Sequence, residues 1–218
     1  MMSLQAILFD FDGTLVDSEA LHYQSWMRVL EPWRVSYDEL TFCGEFSGVP
    51  TLQAAATLNQ RHGLNVHAEA LTYQKNQFFV EVARTLQPKL MPYAQEVLHQ
   101  AREHFTLALV TGSTRAEALP VLEFYKLDKL FKYFIYKDDV VHAKPHPEPY
   151  CKALIKLSLK ANQAIAIEDT YTGLSSARAA GLRTIVVPNH HSEQQDFSRA
   201  SFQVDDLLAA WEQVKKLA

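Results

Sequence analysis

Glycine is scarce, with 7 in 218 residues against a usual share of about 7%, so each one that remains answers a particular backbone need. Cysteine is nearly absent. Cys43 and Cys151 are too few and too far apart for a disulfide framework or a cysteine zinc site. They suit a reducing compartment, with both thiols expected in the core. An excess of basic charge is missing too: 21 Lys and Arg face 25 Asp and Glu, a formal net charge of −4, with a pI near 6.1. That lacks the electrostatic footprint of a nucleic-acid binder. No stretch approaches the ~18 apolar residues of a transmembrane helix. The run from Met1 to Phe9 has no basic leader and little apolar length before Asp10, so no signal peptide is expected. The protein is read as cytoplasmic, with neither nucleic acid nor membrane as a partner, and as a monomer by default. A hydrophobic fraction of 48% and a charged fraction of 21% fit a globular chain. The length fits one domain, or one domain with an insertion.

Four continuous apolar runs read as buried parallel strands: Ala6 to Phe9, Thr106 to Val110, Ala164 to Ile167 and Thr184 to Val187, with a weaker fifth at Tyr133 to Tyr136. Between them, Tyr93 to Glu103, Arg115 to Tyr125, Glu148 to Leu157 and Leu174 to Ala180 have helical spacing. Strand alternating with helix predicts an open, doubly wound α/β sheet of Rossmann-like type. The residues between the first and second strands show apolar spacing of period 3.6 and no convincing strand. His22 to Leu30, Tyr37 to Phe42, Thr51 to Arg61 and Ala68 to Leu86 are the expected helices. A crossover needs far fewer residues, so this bundle reads as a lid, hinged near Val16 to Ser18 and Gln87 to Pro92.

In an open α/β sheet the ligand sits beyond the carboxyl ends of the strands. The first strand ends in Asp10, with Asp12 two residues on; the second in Thr111, Gly112 and Ser113; the third in Glu168 and Asp169. If these strands are neighbours, several carboxylates share one small cleft. Their repulsion would raise their pKa values unless a cation intervened, and hard oxygen ligands of this kind suit Mg²⁺. Each piece has a plainer reading, since Asp169 is also a helix N-cap type and Lys144 alone reads as a surface lysine. Three patterned strand ends, glycines beside them and Lys144 in a Pro-rich loop argue together for a site.

Asp10-Phe11-Asp12-Gly13-Thr14-Leu15-Val16-Asp17-Ser18, then Thr111-Gly112-Ser113, then Lys144-Pro145-His146-Pro147, then Glu168-Asp169-Thr170 with Gly173 resemble, in order and spacing, the four motifs of the haloacid dehalogenase superfamily. The chain is most similar to the β-phosphoglucomutase-like phosphatases, whose helical cap lies between the first two motifs. The resemblance implies a catalytic core over 1–16 and 89–218 and a cap over 17–88. It implies a Mg²⁺-dependent phosphoric monoester hydrolase acting on a small phosphorylated metabolite. Asp10 would be the nucleophile that becomes an aspartyl phosphate, and Asp12 the general acid and base, with its backbone carbonyl on the metal. Thr111, Gly112 and Ser113 would grip phosphoryl oxygens. Lys144 would offset negative charge. Asp169 would be the second metal ligand, with Glu168 acting directly, through water or by orienting Lys144. His22 would gate Asp12.

The resemblance leaves three functional readings. An acid two residues after the first Asp favours phosphoryl transfer over halide displacement, and a phosphatase is the first reading. A phosphosugar mutase would need basic residues on the cap loop, expected at Cys43 to Gly48; that loop has none, and Glu45 would repel a phosphate. A non-catalytic binding protein would have lost Asp10, Asp12 or the metal acids, and all are present. Arg115, just after the second motif, either touches the far end of the substrate or is solvated in its helix. His190 and His191 read as a solvated loop.

Overall fold

A computed structural model of the chain describes residues 3–85 and 88–218. Its main sheet is parallel throughout. Strands β1 (Ala6–Phe9), β4 (Thr106–Val110), β5 (Tyr133–Ile135), β6 (Ala164–Glu168), β7 (Arg183–Val186) and β8 (Phe202–Gln203) lie in the order β5-β4-β1-β6-β7-β8. The five anticipated runs all form strands, and β1 is hydrogen-bonded to β4 and β6. The three patterned strand ends are therefore neighbours.

Side chains alternate across a strand, so β1 feeds two cores. Ile7 and Phe9 join the layer under helices α5 (Ala94–Ala101), α6 (Arg115–Phe124) and α9 (Leu207–Leu217). Ala6 and Leu8 join the layer under α7 (Glu148–Leu157) and α8 (Tyr171–Ala179). All four of these residues of β1 are fully buried, and burying a large apolar side chain is worth about 1.5–3 kcal/mol. The fold is the expected doubly wound α/β sheet. Sequence reading did not find β8 or α9. It started α8 three residues late because Thr170, whose hydroxyl accepts from the Gly173 amide, caps a helix that begins at Tyr171.

The chain leaves the sheet through β2 (Val16–Asp17) and returns through β3 (Lys89–Leu90), and the two pair antiparallel. Between them lie α1 (Glu19–Leu30), α2 (Glu39–Phe46), α3 (Thr51–His62) and α4 (Ala68–Thr85), with a core of their own around Trp26, Leu30, Phe42, Leu58 and Leu71. The anticipated helix to Leu86 and the hinge at Gln87 end outside the described residues. Helix α2 starts later and runs further than expected, because the Asp38 carboxylate caps it through the Thr41 amide, so most of the anticipated substrate loop is helical.

Cys43 is buried and Cys151 half-buried, both free; the expectation of two core thiols holds only for Cys43. No helix among the described residues is long and apolar enough to cross a membrane.

Candidate active site

The segment after β1 turns sharply. The Gly13 amide donates to Val16 O at 2.7 Å, and Gly13 adopts φ +76°. A Cβ there would stand 2.1 Å from Asp169 Oδ2, so glycine is required both by conformation and by space. This turn lays Asp10, Asp12 and Thr14 beside the ends of β4 and β6.

Lys144 reaches in from the loop before α7. Its Nζ donates to Asp10 Oδ1 and to Glu168 Oε1, each at 2.6 Å, and all three groups are buried. The Tyr150 hydroxyl also donates to Glu168 Oε1. Glu168 Oε2 is buried with no hydrogen-bond partner, and it packs so closely on α8 that a Cβ at Gly173 would lie 1.9 Å away. Asp169 accepts from Thr14 Oγ1 at 3.2 Å and from Asn189 Nδ2 at 2.8 Å.

Asp10, Glu168 and Asp169 bring one carboxylate oxygen each within 4.8 Å of one another, all buried. Burial and the facing Glu168 push the Asp10 carboxyl up to about 8, against the pull of Lys144. Burial, Asp10 and Glu168 raise Asp169 well above the usual carboxylate range. Burial alone would depress Lys144, but Asp10 and Glu168 outweigh it and hold the ammonium charged. The cluster carries more acid than one lysine can balance, and one of its oxygens is orphaned. Oxygen-only donors in this state fit a small hard dication such as Mg²⁺.

Asp12 is the opposite case. Its Oδ2 accepts from Ser113 Oγ at 2.6 Å and Thr111 Oγ1 at 3.0 Å, and its Oδ1 from Ser18 Oγ at 2.6 Å. His22 Nε2 stands 3.6 Å from Oδ1. Burial would raise this carboxyl, yet His22, Ser113 and Ser18 together hold it below the usual range.

Above these groups lies a cavity of about 120 Å³ between the sheet and the helical insertion. Asp10, Asp12, Lys144, Gly112 and Ser113 line it from below. His22, Trp26, Phe42, Phe46 and Ser47 come from the insertion. A buried pair, Lys75 Nζ of α4 to Glu117 Oε1 of α6 at 3.1 Å, clasps insertion to core, and Lys75 and Lys137 also line the cavity.

Of the residues singled out from sequence, Asp10, Asp12, His22, Thr111, Gly112, Ser113, Lys144, Glu168 and Asp169 gather here. Arg115 does not: its guanidinium lies 4.7 Å over the Tyr136 ring, and it is not among the cavity's lining residues. Glu45 is likewise turned away, paired with Arg61 on the exposed side, so the repulsion expected of it is neutralised. His191 is not solvated but buried, 3.7 Å from Glu39 of α2, where burial lowers its pKa. Thr14, Tyr150, Asn189, Lys75 and Lys137 were missed. Lys75 had a signal, since it falls between Leu71 and Phe79 on the buried stripe of α4.

The family model for haloacid dehalogenase-like hydrolases matches residues 7–187. The chain belongs to that family. Protein CbbY of Rhodobacter capsulatus is 33% identical over 218 residues, 96% of each chain. The phosphorylated carbohydrates phosphatase of Thermotoga maritima is 29% identical over 188 residues, 84% of each. The structure of CbbY from Rhodobacter sphaeroides with xylulose-(1,5)bisphosphate superposes with a TM-score of 0.82 at 25% identity, covering 93% of this chain and 94% of that one. The likeness to the β-phosphoglucomutase-like subgroup of this hydrolase family is borne out. So is the enzyme class, a phosphoric monoester hydrolase.

Proposed function

We propose that this hydrolase is a Mg²⁺-dependent phosphatase that cleaves small phosphate monoesters, of sugar or polyol type, through an aspartyl phosphate on Asp10, with residues 17–88 acting as a cap over a core of 1–16 and 89–218. The observation that carries this reading is the pairing of Asp10 and Asp12 in one small cavity, two residues apart and electrostatically opposed. Such opposition between neighbouring acids marks a division of labour.

Asp10, Asp169, Glu168 and the backbone carbonyl of Asp12 would hold the cation, which when bound neutralises this acid cluster and the incoming phosphoryl oxygens. A carboxylate oxygen of Asp10 attacks phosphorus as the ester P–O bond breaks. Lys144, already on Asp10, orients that carboxylate and offsets charge on the transferring group. Thr111 and Ser113 now donate to Asp12. When phosphoryl oxygens claim those donors, Asp12 loses stabilisation of its anion and its pKa rises, so it can carry a proton to the leaving alcohol. Asp12, again ionised, then takes a proton from water as that water displaces Asp10 and frees phosphate. His22, beside Asp12, couples this exchange to the position of the insertion.

The small cavity excludes macromolecules, and the Thermotoga relative is named for phosphorylated carbohydrates. The test is phosphate release from a panel of metabolite esters, with and without Mg²⁺. Metal-dependent turnover, greatest on phosphosugars or phosphopolyols, is the expected result. Release indifferent to chelation would sink the reading. A second reading, a phosphosugar mutase, gains from one observation: Lys137, on the core side, brings to the cavity a basic group that Cys43 to Gly48 lack, while Lys75 is paired with Glu117. Glucose 1-phosphate separates the two, giving free phosphate in a phosphatase and glucose 6-phosphate in a mutase.

A further inference from the structure

A second group of potential ligands lies outside the cavity, on the loop that presents Lys144. We infer that His142, His146 and Glu148 form a binding site for a divalent transition cation of the zinc class. One ring nitrogen of each histidine and one carboxylate oxygen of Glu148 lie within 4.8 Å of one another. The two imidazoles face each other with centroids 4.6 Å apart.

The backbone prepares this arrangement. Glu148 Oε1 accepts from the Val141 amide at 2.8 Å, and Oε2 accepts from the His142 amide at 2.9 Å. Those two amides fix the carboxylate in place beside the His142 ring. The His142 ring is already within 3.0 Å of the same Oε2 through Nδ1. The Glu148 amide donates to His146 Nδ1 at 3.2 Å, so a cation would take that lone pair in place of the amide proton. Ser176 Oγ donates to His146 O at 2.6 Å, tying the loop to α8.

Ligands about 2.0–2.2 Å from zinc stand about 3.3 Å apart in a tetrahedron. The His142–Glu148 separation is near that already. His142 and His146 are exposed, so small ring rotations close the rest and water completes the shell. Two imidazoles with one carboxylate select a borderline cation over Mg²⁺, the reverse of the all-oxygen cluster within. The ligands bracket Lys144 in the chain, so a bound ion would brace the loop that delivers it. None of the three lines the cavity, and the inference is independent of the proposed reaction.

The full chain, with excess Mg²⁺ to occupy the buried carboxylates, would be titrated with Zn²⁺ by calorimetry. One saturable site per chain is expected, with a raised melting temperature on binding. His142→Ala and His146→Ala should each weaken it at least about tenfold while melting like the parent in the absence of zinc. Absence of a saturable site overturns the proposal, and so does a site whose affinity both variants leave intact, since zinc would then be in the carboxylate cluster. Because His142 is 62% exposed, its replacement leaves the fold in place.

Discussion

The two walls of the cavity are built on different principles. On the sheet side, polar groups are committed to named partners: Lys144 to Asp10 and Glu168, Thr14 and Asn189 to Asp169, the Thr111 and Ser113 hydroxyls to Asp12. On the insertion side, Trp26, Phe42, Phe46 and Val49 present mostly carbon, and the ionisable side chains there are Glu19, His22 and Lys75, the last paired with Glu117. Fixed dipoles and charges stabilise a reacting group without reorganising, whereas an apolar wall discriminates by shape and volume. The difference teaches that chemistry and selection can be disturbed separately.

The sharpest break comes at Asp10. Asp10→Asn should reduce Mg²⁺-supported p-nitrophenyl phosphate turnover by at least about 10⁴-fold, with the fold intact by circular dichroism. Turnover within tenfold of the parent would dissolve the distinction between the walls. The same side chain governs stability against pH. Its folded value of about 8 lies above the ordinary value near 4. Stability from its protonated form is complete below about pH 4 and drains as pH rises through about 8. In chelator, melting temperature should therefore fall from about pH 5 to pH 9. Mg²⁺ should flatten that slope, and Asp10→Asn should reduce it.

The insertion wall is tested next at its clasp. Glu117→Gln strands the Lys75 ammonium among buried groups, where losing one partner costs about 3–5 kcal/mol. That cost falls on closure, so the variant should show a raised KM and a more extended scattering profile. An unchanged KM and profile would mean the pair does not hold the walls together. Smallest is Phe46→Leu, a near-conservative change in a well-packed wall. It should alter the ranking of ester substrates by no more than about tenfold in kcat/KM and leave the pH slope untouched.

The sheet wall was nearly all legible in the sequence, because its residues stand at strand ends, where chain order alone predicts convergence. Its remaining members were hidden for a physical reason: Asn189 acquires its role only when β7 pairs with β6, and Tyr150 only when α7 packs on the sheet within reach of Glu168, and no local spacing records that. The insertion wall was legible as helices but not as a surface. Lys75 stands in a polar stretch, Tyr73-Gln74-Lys75-Asn76; its place between Leu71 and Phe79 marks it as buried, but its partner Glu117 is set only when α4 docks on α6. Arg115 took the second of its two readings, exposed on its helix, and the partner it lies over, Tyr136, is too far along the chain for local spacing to record.

The antiparallel contact of Val16 with Leu90 and Asp17 with Lys89 has an engineering corollary. Departure and re-entry of the four helices are stitched into a single ribbon, so the excursion behaves as a plug-in cassette with adjacent terminals. Grafting a relative's helices between those two stitches should exchange the repertoire of accepted esters while the sheet below keeps its wiring.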